Sequence, residues 1–367
     1  MNIFLWENFG PMHVDRCDAV AQSGLSVIGL ELYGRSDTYD WISENGQSFK
    51  KVTLFNEGRP RGIALIKKLI TYRLKHGKAN WFMCHYEWKE IFIFACFLRL
   101  MGDKVFTMGC SKFDDWARNS IKEASKRIFF KPYVGAIGSG IRSKDYFRFH
   151  GFKEGSIATE YNTLSIDRIK RMAKILPAPE GTAYEQRHFT IVARLVPKKN
   201  LFMALEAYAI YKSSNNEVIR PLYICGSGPL EEELKNKAID LNIENDVIFT
   251  GFIQTEQVSQ YLGTSLALIL PSTEEQFGNV VIEAQALGLP VLISDVCGAR
   301  DNLVKTTVNG FIFEPDNPAG LAWFMKLLND NNELWKSMCI QAQQFSLKGD
   351  VVMFSRAVQD LINLDSK

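Results

Sequence analysis

The chain of 367 residues has no C-x-x-C pair, and its seven cysteines are an odd number. Cys84 and Cys225 sit inside the apolar runs ANWFMCHY and LYICGSG. That usage excludes a disulfide framework and a structural zinc site, and reads as buried thiols in a reducing compartment. No D-x-D triplet occurs, so the paired carboxylates that hold a diphosphate through a divalent metal are missing. The longest apolar run, IFIFACFL at residues 91–98, is too short to span a bilayer, and Lys89, Glu90 and Arg99 bracket it. The opening MNIFLWENFG lacks a basic n-region and a long apolar core, so it reads as a strand and not as a signal peptide. These absences place the protein in the cytosol, touching a membrane at its inner face at most. CGSGPLEEEL lacks the third glycine of the dinucleotide fingerprint, which disfavours a nicotinamide cofactor. No nucleic-acid-binding module is visible, so no nucleic-acid partner is expected.

What is present is a chain of globular composition, 46% hydrophobic and 23% charged, long enough for two ordinary domains. Its net charge of +2 hides an asymmetry. Residues 1–180 carry 28 Lys and Arg against 19 Asp and Glu, a net of +9; the remainder carries 15 against 22, a net of −7. A basic first half suits anionic lipid headgroups, a pyrophosphate carrier or an anionic glycan.

Short apolar runs alternate with helical patterns. NIFLW, LSVIGLEL, KVTLF, NWFMCHY and KVFTMGC read as strands. HVDRCDAVAQSG, RGIALIKKLITYRLKHG and KEIFIFACFLRLMG read as helices between them. The alternation implies a parallel sheet covered on both faces. Residues 163–187, basic and then rich in Pro, Ala and Gly, read as a linker. The pattern restarts with FTIVAR, PLYICGSG, VIFTGFI, LALILPS and PVLISD, with helices from Leu201, Glu231, Thr255 and Gly278. The expected organisation is a domain over 1–162, a linker over 163–187 and a second domain over 188–349. A final helix at 350–367 is free to pack back on the first domain. The fold class is α/β, with two doubly wound domains facing across a cleft, and ligands beyond the carboxyl ends of the strands.

The stretch PSTEEQFGNVVIEAQALGLPVLISD places Glu275 on a loop and Glu283 in the early turns of a helix, with seven residues between them. Gly278 and Asn279 lie where that helix begins, and backbone N–H groups at a helix start suit an anion. Two carboxylates can grip sugar and ribose hydroxyls. By spacing alone, the pair also fits a surface loop acid and a solvated helix acid. VARLVPKKN puts Arg194 after a strand and Lys199 five residues on, where both can reach one diphosphate. Gly226 and Gly228 allow close approach to the backbone. Phe252 ends a strand, where a base could stack.

The order R-x-x-x-x-K, GxGP, GF and E-x7-E resembles the family 4 glycosyltransferases, retaining enzymes of the GT-B fold that use nucleotide-sugar donors. The likeness is specific over residues 189–330 and weaker over 1–160. It implies that Arg194 and Lys199 bind the donor diphosphate and stabilise the leaving group. Glu283 would hold the ribose hydroxyls and Glu275 the donor sugar. The amides of Phe277, Gly278 and Asn279 would hold sugar and phosphate oxygens, with Phe252 framing the base. Gln276 and Asn200 stand where the family commonly has glycine. In the first half, FGPMHVDRCDAVA resembles the acceptor-side loop and helix, with Arg16 facing the cleft. His85 ends a strand where relatives often carry a histidine near the donor sugar, and Ser139 lines the acceptor side.

The resemblance implies a retaining hexosyltransferase that moves a sugar from a UDP- or GDP-sugar to a glycan or lipid-linked acceptor in surface polysaccharide biosynthesis. The nucleotide-sugar is a substrate; no cofactor and no metal are expected. The competing readings are a nucleotide-sugar epimerase and a non-catalytic glycan- or nucleotide-binding protein on the same fold. Residues 59–78, RPRGIALIKKLITYRLKHGK, carry seven basic residues and no acid, with an apolar stripe from Ile63 to Leu74. Such a helix suits either an anionic membrane surface or ordinary packing with a solvated basic face.

Overall fold

The structure is a computed structural model that describes residues 1–34, 45–115, 118–214 and 218–364. The last three positions of the expected C-terminal helix therefore lie outside the described residues. The chain divides into two units, Met1–Ser165 with Val351–Lys367, and Ile166–Asp350.

The first unit runs β1 (Asn2–Trp6), α1 (Pro11–Gln22), β2 (Val27–Tyr33), β3 (Lys50–Phe55), α2 (Ile63–His76), β4 (Asn80–Met83), α3 (Lys89–Leu100), β5 (Lys104–Gly109), α4 (Ser120–Phe130), β6 (Gly135–Gly138), α5 (Gly140–Phe149) and β7 (Ile157–Ala158). Its seven strands lie in the order β3-β2-β1-β4-β5-β6-β7, all parallel. Leu5 pairs with Leu30 on one side and Met83 on the other. Strand residues alternate between faces. Ile3 and Leu5 join Leu65, Leu69, Phe94 and Leu98 from α2 and α3. Phe4 and Trp6 join Cys17 and Val20 from α1. Each fully buried Leu or Phe stabilises by about 1.5–3 kcal/mol, so a sheet buried on both faces is what near-continuous runs such as NIFLW require. Helix α1 starts with Pro11 in its first turn, where a missing N–H costs nothing.

The second unit runs α6 (Ile166–Ala173), β8 (His188–Val192), α7 (Leu201–Ser213), β9 (Leu222–Cys225), α8 (Glu231–Asp240), β10 (Val247–Gly251), α9 (Thr255–Gly263), β11 (Ser265–Leu270), α10 (Val280–Ala286), β12 (Val291–Ser294), α11 (Arg300–Leu303), β13 (Gly310–Phe313), α12 (Pro318–Asp330) and α13 (Asn332–Ser346). Its sheet has the order β10-β9-β8-β11-β12-β13, again parallel. The last helix, α14 (Val351–Ile362), belongs to the first unit, where Phe354 and Val358 fill the same core as Phe4 and Trp6.

The segment read as a linker is more ordered than its composition implies. It contains α6, which packs on α9 and α10. Beyond it, Ala178 N donates to Leu287 O at 2.8 Å, directly over Gly288, where any Cβ would meet Ala178 O at 2.1 Å. Arg187 is buried, lies 4.8 Å from the Trp335 ring and donates to the carbonyls of Glu180, Thr182 and Ser265. Burial lowers its pKa to about 10. Among the described residues no helix is long and apolar enough to cross a membrane. All seven cysteines are free thiols, five buried, with Cys96 and Cys110 partly exposed.

Candidate active site

In both sheets the strand order reverses beside the unit's first strand. β1 lies between β2 and β4, and β8 lies between β9 and β11. Open parallel sheets bind ligands beyond the carboxyl ends at such a reversal. In the second unit the loop after β8 carries Arg194 and Lys199, and the loop after β11 carries Glu275 through Asn279. Gly226 and Gly228 follow β9, and Phe252 follows β10.

Main-chain hydrogen bonds hold these loops to one another. Ala193 N donates to Cys225 O and Leu195 N to Ser227 O, both at 3.0 Å. A Cβ on Gly226 would meet Ala193 O at 1.9 Å, and one on Gly228 would meet Leu195 O at 2.5 Å. The missing Cβ atoms thus make room for the neighbouring loop of the protein itself. Thr273 N donates to Lys198 O at 2.9 Å, which ties the β11 loop to the β8 loop. Asn200 has the left-handed conformation, φ +55°, that a glycine would adopt freely. Its Nδ2 donates to Pro271 O at 3.1 Å and Pro315 O at 2.7 Å, bonds that glycine could not make. Ala299 N donates to Phe277 O at 2.9 Å, and Gly298 lets that contact close.

The Lys199 ammonium donates to Glu275 Oε2, and both side chains are mostly buried. Glu283 lies in the first turn of α10, half-buried, its carboxylate without a hydrogen bond or ion pair among the described residues. Burial raises its carboxyl pKa, and the charge of Arg168 on α6 opposes that only in part. Arg194 and Phe252 are exposed. Phe277 is buried, so only its main chain faces the loop. Helix α10 has seven residues and begins after Asn279; Gly278 precedes it at φ +102° and packs on Leu270.

In the first unit His13 lies in the first turn of α1, after β1, and His85 in the loop after β4. His13 stacks on Trp6 at 4.5 Å, and its pKa is lowered by burial and by Arg16. His85 has φ +61°, unusual for a residue with a Cβ. Its ring stacks on Trp88 at 4.3 Å, and its Nδ1 is 3.9 Å from Glu87 Oε1. Arg61 lies 3.6 Å over the other ring partner, Trp88, and pairs with Glu90 through two 3.1 Å bonds. Ser139 is buried and donates to Asn162 Oδ1 at 2.5 Å.

Arg16 departs from its expected position. It is 1% exposed, donates to Thr163 O at 3.3 Å and lies 4.7 Å over the Tyr161 ring, with Phe354 at 5.9 Å. The guanidinium is a core tether between α1 and residues 161–163. Sequence reading also missed Arg168, whose charge acts on Glu283, because it lies in the segment taken for a linker. Three of the seven cations of residues 59–78 are bound to acids: Arg73 pairs with Asp103 at 2.8 Å, Arg61 with Glu90, and Arg59 with Glu7 at 3.3 Å. Lys67, Lys68, Lys75 and Lys78 remain exposed, beside Ile63 and Leu74.

Residues 174–345 match the family model described as Glycosyl transferases group 1, a match that lies inside the second unit and spans Arg194 to Glu283. An uncharacterized glycosyltransferase of Methanocaldococcus jannaschii is 24% identical over 268 residues, 61% of this chain and 68% of that protein. Several other curated relatives are matched over about half of their own length or less. Among solved structures, the lipopolysaccharide outer core galactosyltransferase WaaB, in its apo form, gives a TM-score of 0.74 at 16% identity, covering 100% of both chains. Anabaena HepE in complex with UDP gives 0.71 at 17% identity, also covering 100% of both. The fold is therefore that of GT-B glycosyltransferases, two Rossmann-like α/β units, and the second unit carries a Glycosyl transferases group 1 domain.

Proposed function

We propose that this protein is a metal-independent retaining glycosyltransferase that moves a hexose from a UDP- or GDP-sugar to a glycan or lipid-linked acceptor in surface polysaccharide biosynthesis. The observation that carries the reading is the placement of Arg194, Lys199, Glu275 and Glu283 on strand-end loops at the reversal of strand order, inside the matched domain. Departure of a nucleoside diphosphate builds negative charge on its β-phosphate. Arg194, exposed and unpaired among the described residues, and Lys199 are fixed cations that lower the barrier to that step. In the free protein Glu275 holds the Lys199 ammonium. A bound diphosphate takes that ammonium over and leaves Glu275 to accept from sugar hydroxyls. Glu283, a half-buried carboxylate without a partner, accepts from the ribose hydroxyls. The main chain at Phe277, Gly278 and Asn279 meets sugar and phosphate oxygens, and the exposed ring of Phe252 frames the base. The acceptor hydroxyl attacks on the face the diphosphate leaves. We assign the acceptor side to the first unit, with His85 and the buried Ser139 as its residues. UDP bound to HepE and the outer-core activity of WaaB support a nucleotide-sugar donor and a surface-glycan product. A cytoplasmic location at the inner membrane face fits the exposed Lys67, Lys68 and Lys75 of α2 and Lys78 just after it.

Thermal stability with UDP, GDP, ADP and CMP, each with and without chelator, tests the reading. A ligand of the native state raises the melting temperature by mass action. We expect a chelator-insensitive rise with UDP or GDP that is lost in Lys199→Ala, and turnover abolished in Glu275→Ala. Unchanged turnover in both variants rejects the site; activity lost in chelator and restored by magnesium rejects metal independence. Co-sedimentation with anionic liposomes at low salt tests the membrane surface, and no binding there refutes it.

A further inference from the structure

The amino-terminal edge of the first unit's sheet, opposite the strand ends that carry His85 and Ser139, holds a pocket of about 1100 Å³. The last turns of α3, α4 and α5 wall it, with the residues that enter β5, β6 and β7. Its cations are Arg99, Lys104, Arg127, Lys131 and Lys153, and among the described residues no Asp or Glu lines it. Two of the five are engaged in a way helix ends commonly require. Arg99 Nη1 donates to Asp103 O and Lys104 Nζ to Ile362 O, both at 3.0 Å. The side chains of Arg127, Lys131 and Lys153 have no ion pair or hydrogen bond among the described residues. Arg127 is seated over Gly151, at φ +100°, where a Cβ would meet its Nε at 3.2 Å.

The ring of His150, 3% exposed, lines the same pocket, and its Nδ1 has no hydrogen bond. The other ring nitrogen of His150 lies 3.5 Å from Glu123 Oε2. Buried polar atoms are nearly always satisfied, and an exception calls for a missing partner. Burial keeps the His150 imidazole neutral, its pKa lowered to about 4, so the pocket's free charge is that of the three unpaired cations. One carboxylate would neutralise only one of them; three suit a phosphate of charge near two. Phe130 and Phe152, 5.5 Å apart, give the pocket an aromatic wall. Its size is that of a site for a metabolite.

We propose that this pocket is a second ligand site, which takes a small organic phosphate: the phosphate on Arg127, Lys131 and Lys153 beside His150, the organic part against Phe130 and Phe152. It does not rest on the glycosyltransferase reading, since no residue of the strand-end site lines it.

Equilibrium dialysis of the full chain against radiolabelled inorganic pyrophosphate tests it. The Arg194→Ala/Lys199→Ala protein removes the strand-end cations and should still bind one pyrophosphate per chain. Adding Arg127→Gln, Lys131→Gln and Lys153→Gln to it should weaken that binding by about tenfold or more. The three side chains are exposed, so the melting temperature should stay that of the parent, which separates a lost site from a lost fold. Pyrophosphate binding that is absent from the double variant, or unchanged by the three glutamines, overturns the proposal. Competition names the source. Displacement by glycerol 3-phosphate supports a soluble phosphate, displacement by phosphatidylglycerol vesicles alone supports a lipid headgroup, and displacement by neither overturns the organic-phosphate assignment.

Discussion

Substituting Gly226 by alanine should do more harm than any other single methyl group in the candidate site. Two terms act there. The backbone at Gly226 has φ +144°, and a side chain held at a positive φ costs roughly 1–2 kcal/mol. The new Cβ would also lie 1.9 Å from Ala193 O, a main-chain atom that moves only if the β8 loop moves. Forcing a methyl into packed surroundings costs about 1–3 kcal/mol. The sum is about 3 kcal/mol, or a fall in melting temperature of about 6–12 °C for a unit of this size. Gly251 is the control: φ is +70° but nothing lies within 4 Å of its Cβ position, so only the first term applies. Gly251→Ala should lower the melting temperature by about 2–8 °C, less than Gly226→Ala. Ala193 is followed directly by Arg194, so the displaced loop in Gly226→Ala should also weaken UDP or GDP binding, and Gly251→Ala much less. Calorimetry and nucleotide titration of both variants check this. Equal melting temperatures for the two, or Gly226→Ala with unaltered nucleotide affinity, would refute the account of the paired loops.

Three further outcomes follow from the titratable and buried groups. A carboxyl whose folded pKa is raised is penalised in its charged form, a penalty absent in acid and full at neutral pH. Glu283→Gln should therefore stabilise the second unit by about 1 kcal/mol at neutral pH, less in acid, while lowering nucleotide affinity. Burial alone would raise the pKa of Glu123, but hydrogen bonds from Lys126, Tyr146 and Arg118 outweigh it and hold the carboxyl at about 2. That stability, about 3 kcal/mol, is complete above pH 4.5 and disappears as pH falls toward 2, so Glu123→Gln should flatten the acid limb of urea-unfolding stability over that range. Arg16→Ala should destabilise the first unit by about 3 kcal/mol, since it vacates a packed site and leaves Thr163 O unpaired, with the KM for donor unchanged. A large rise in the acceptor KM at unaltered stability would return Arg16 to the acceptor site.

The alternation of strands and helices was legible because each strand is a short apolar run bounded by turn residues. β6 and β7 were not, for local reasons: GAIG has two glycines, and a strand of two residues has no period. The helix α6 was hidden by the Pro, Ala and Gly that follow it. In the candidate site, residue types and spacing pointed to the acids and cations, but partners lie far along the chain. Lys199 and Glu275 are 76 residues apart, and Arg16 reaches Thr163 across 147. A lone arginine on an amphipathic helix gives no sign of which face it occupies until that distant partner is known. For the same reason the seven cations of residues 59–78 looked alike, although three of them are bound to acids elsewhere in the first unit.

The return of α14 to the first unit makes the second unit an insertion in the path of the chain. Val351 N donates to Leu164 O at 3.1 Å, and Ile166 N to Asp350 Oδ2 at 3.3 Å, so the chain leaves and re-enters at nearly one point. During synthesis Phe4, Trp6 and Phe82 are made early, yet the side chains of Phe354 and Val358 that cover them emerge only after the whole second unit. A ribosome stalled anywhere from residue 166 to 350 therefore holds a first unit with one face of its sheet partly bare, its apolar side chains exposed until α14 is made.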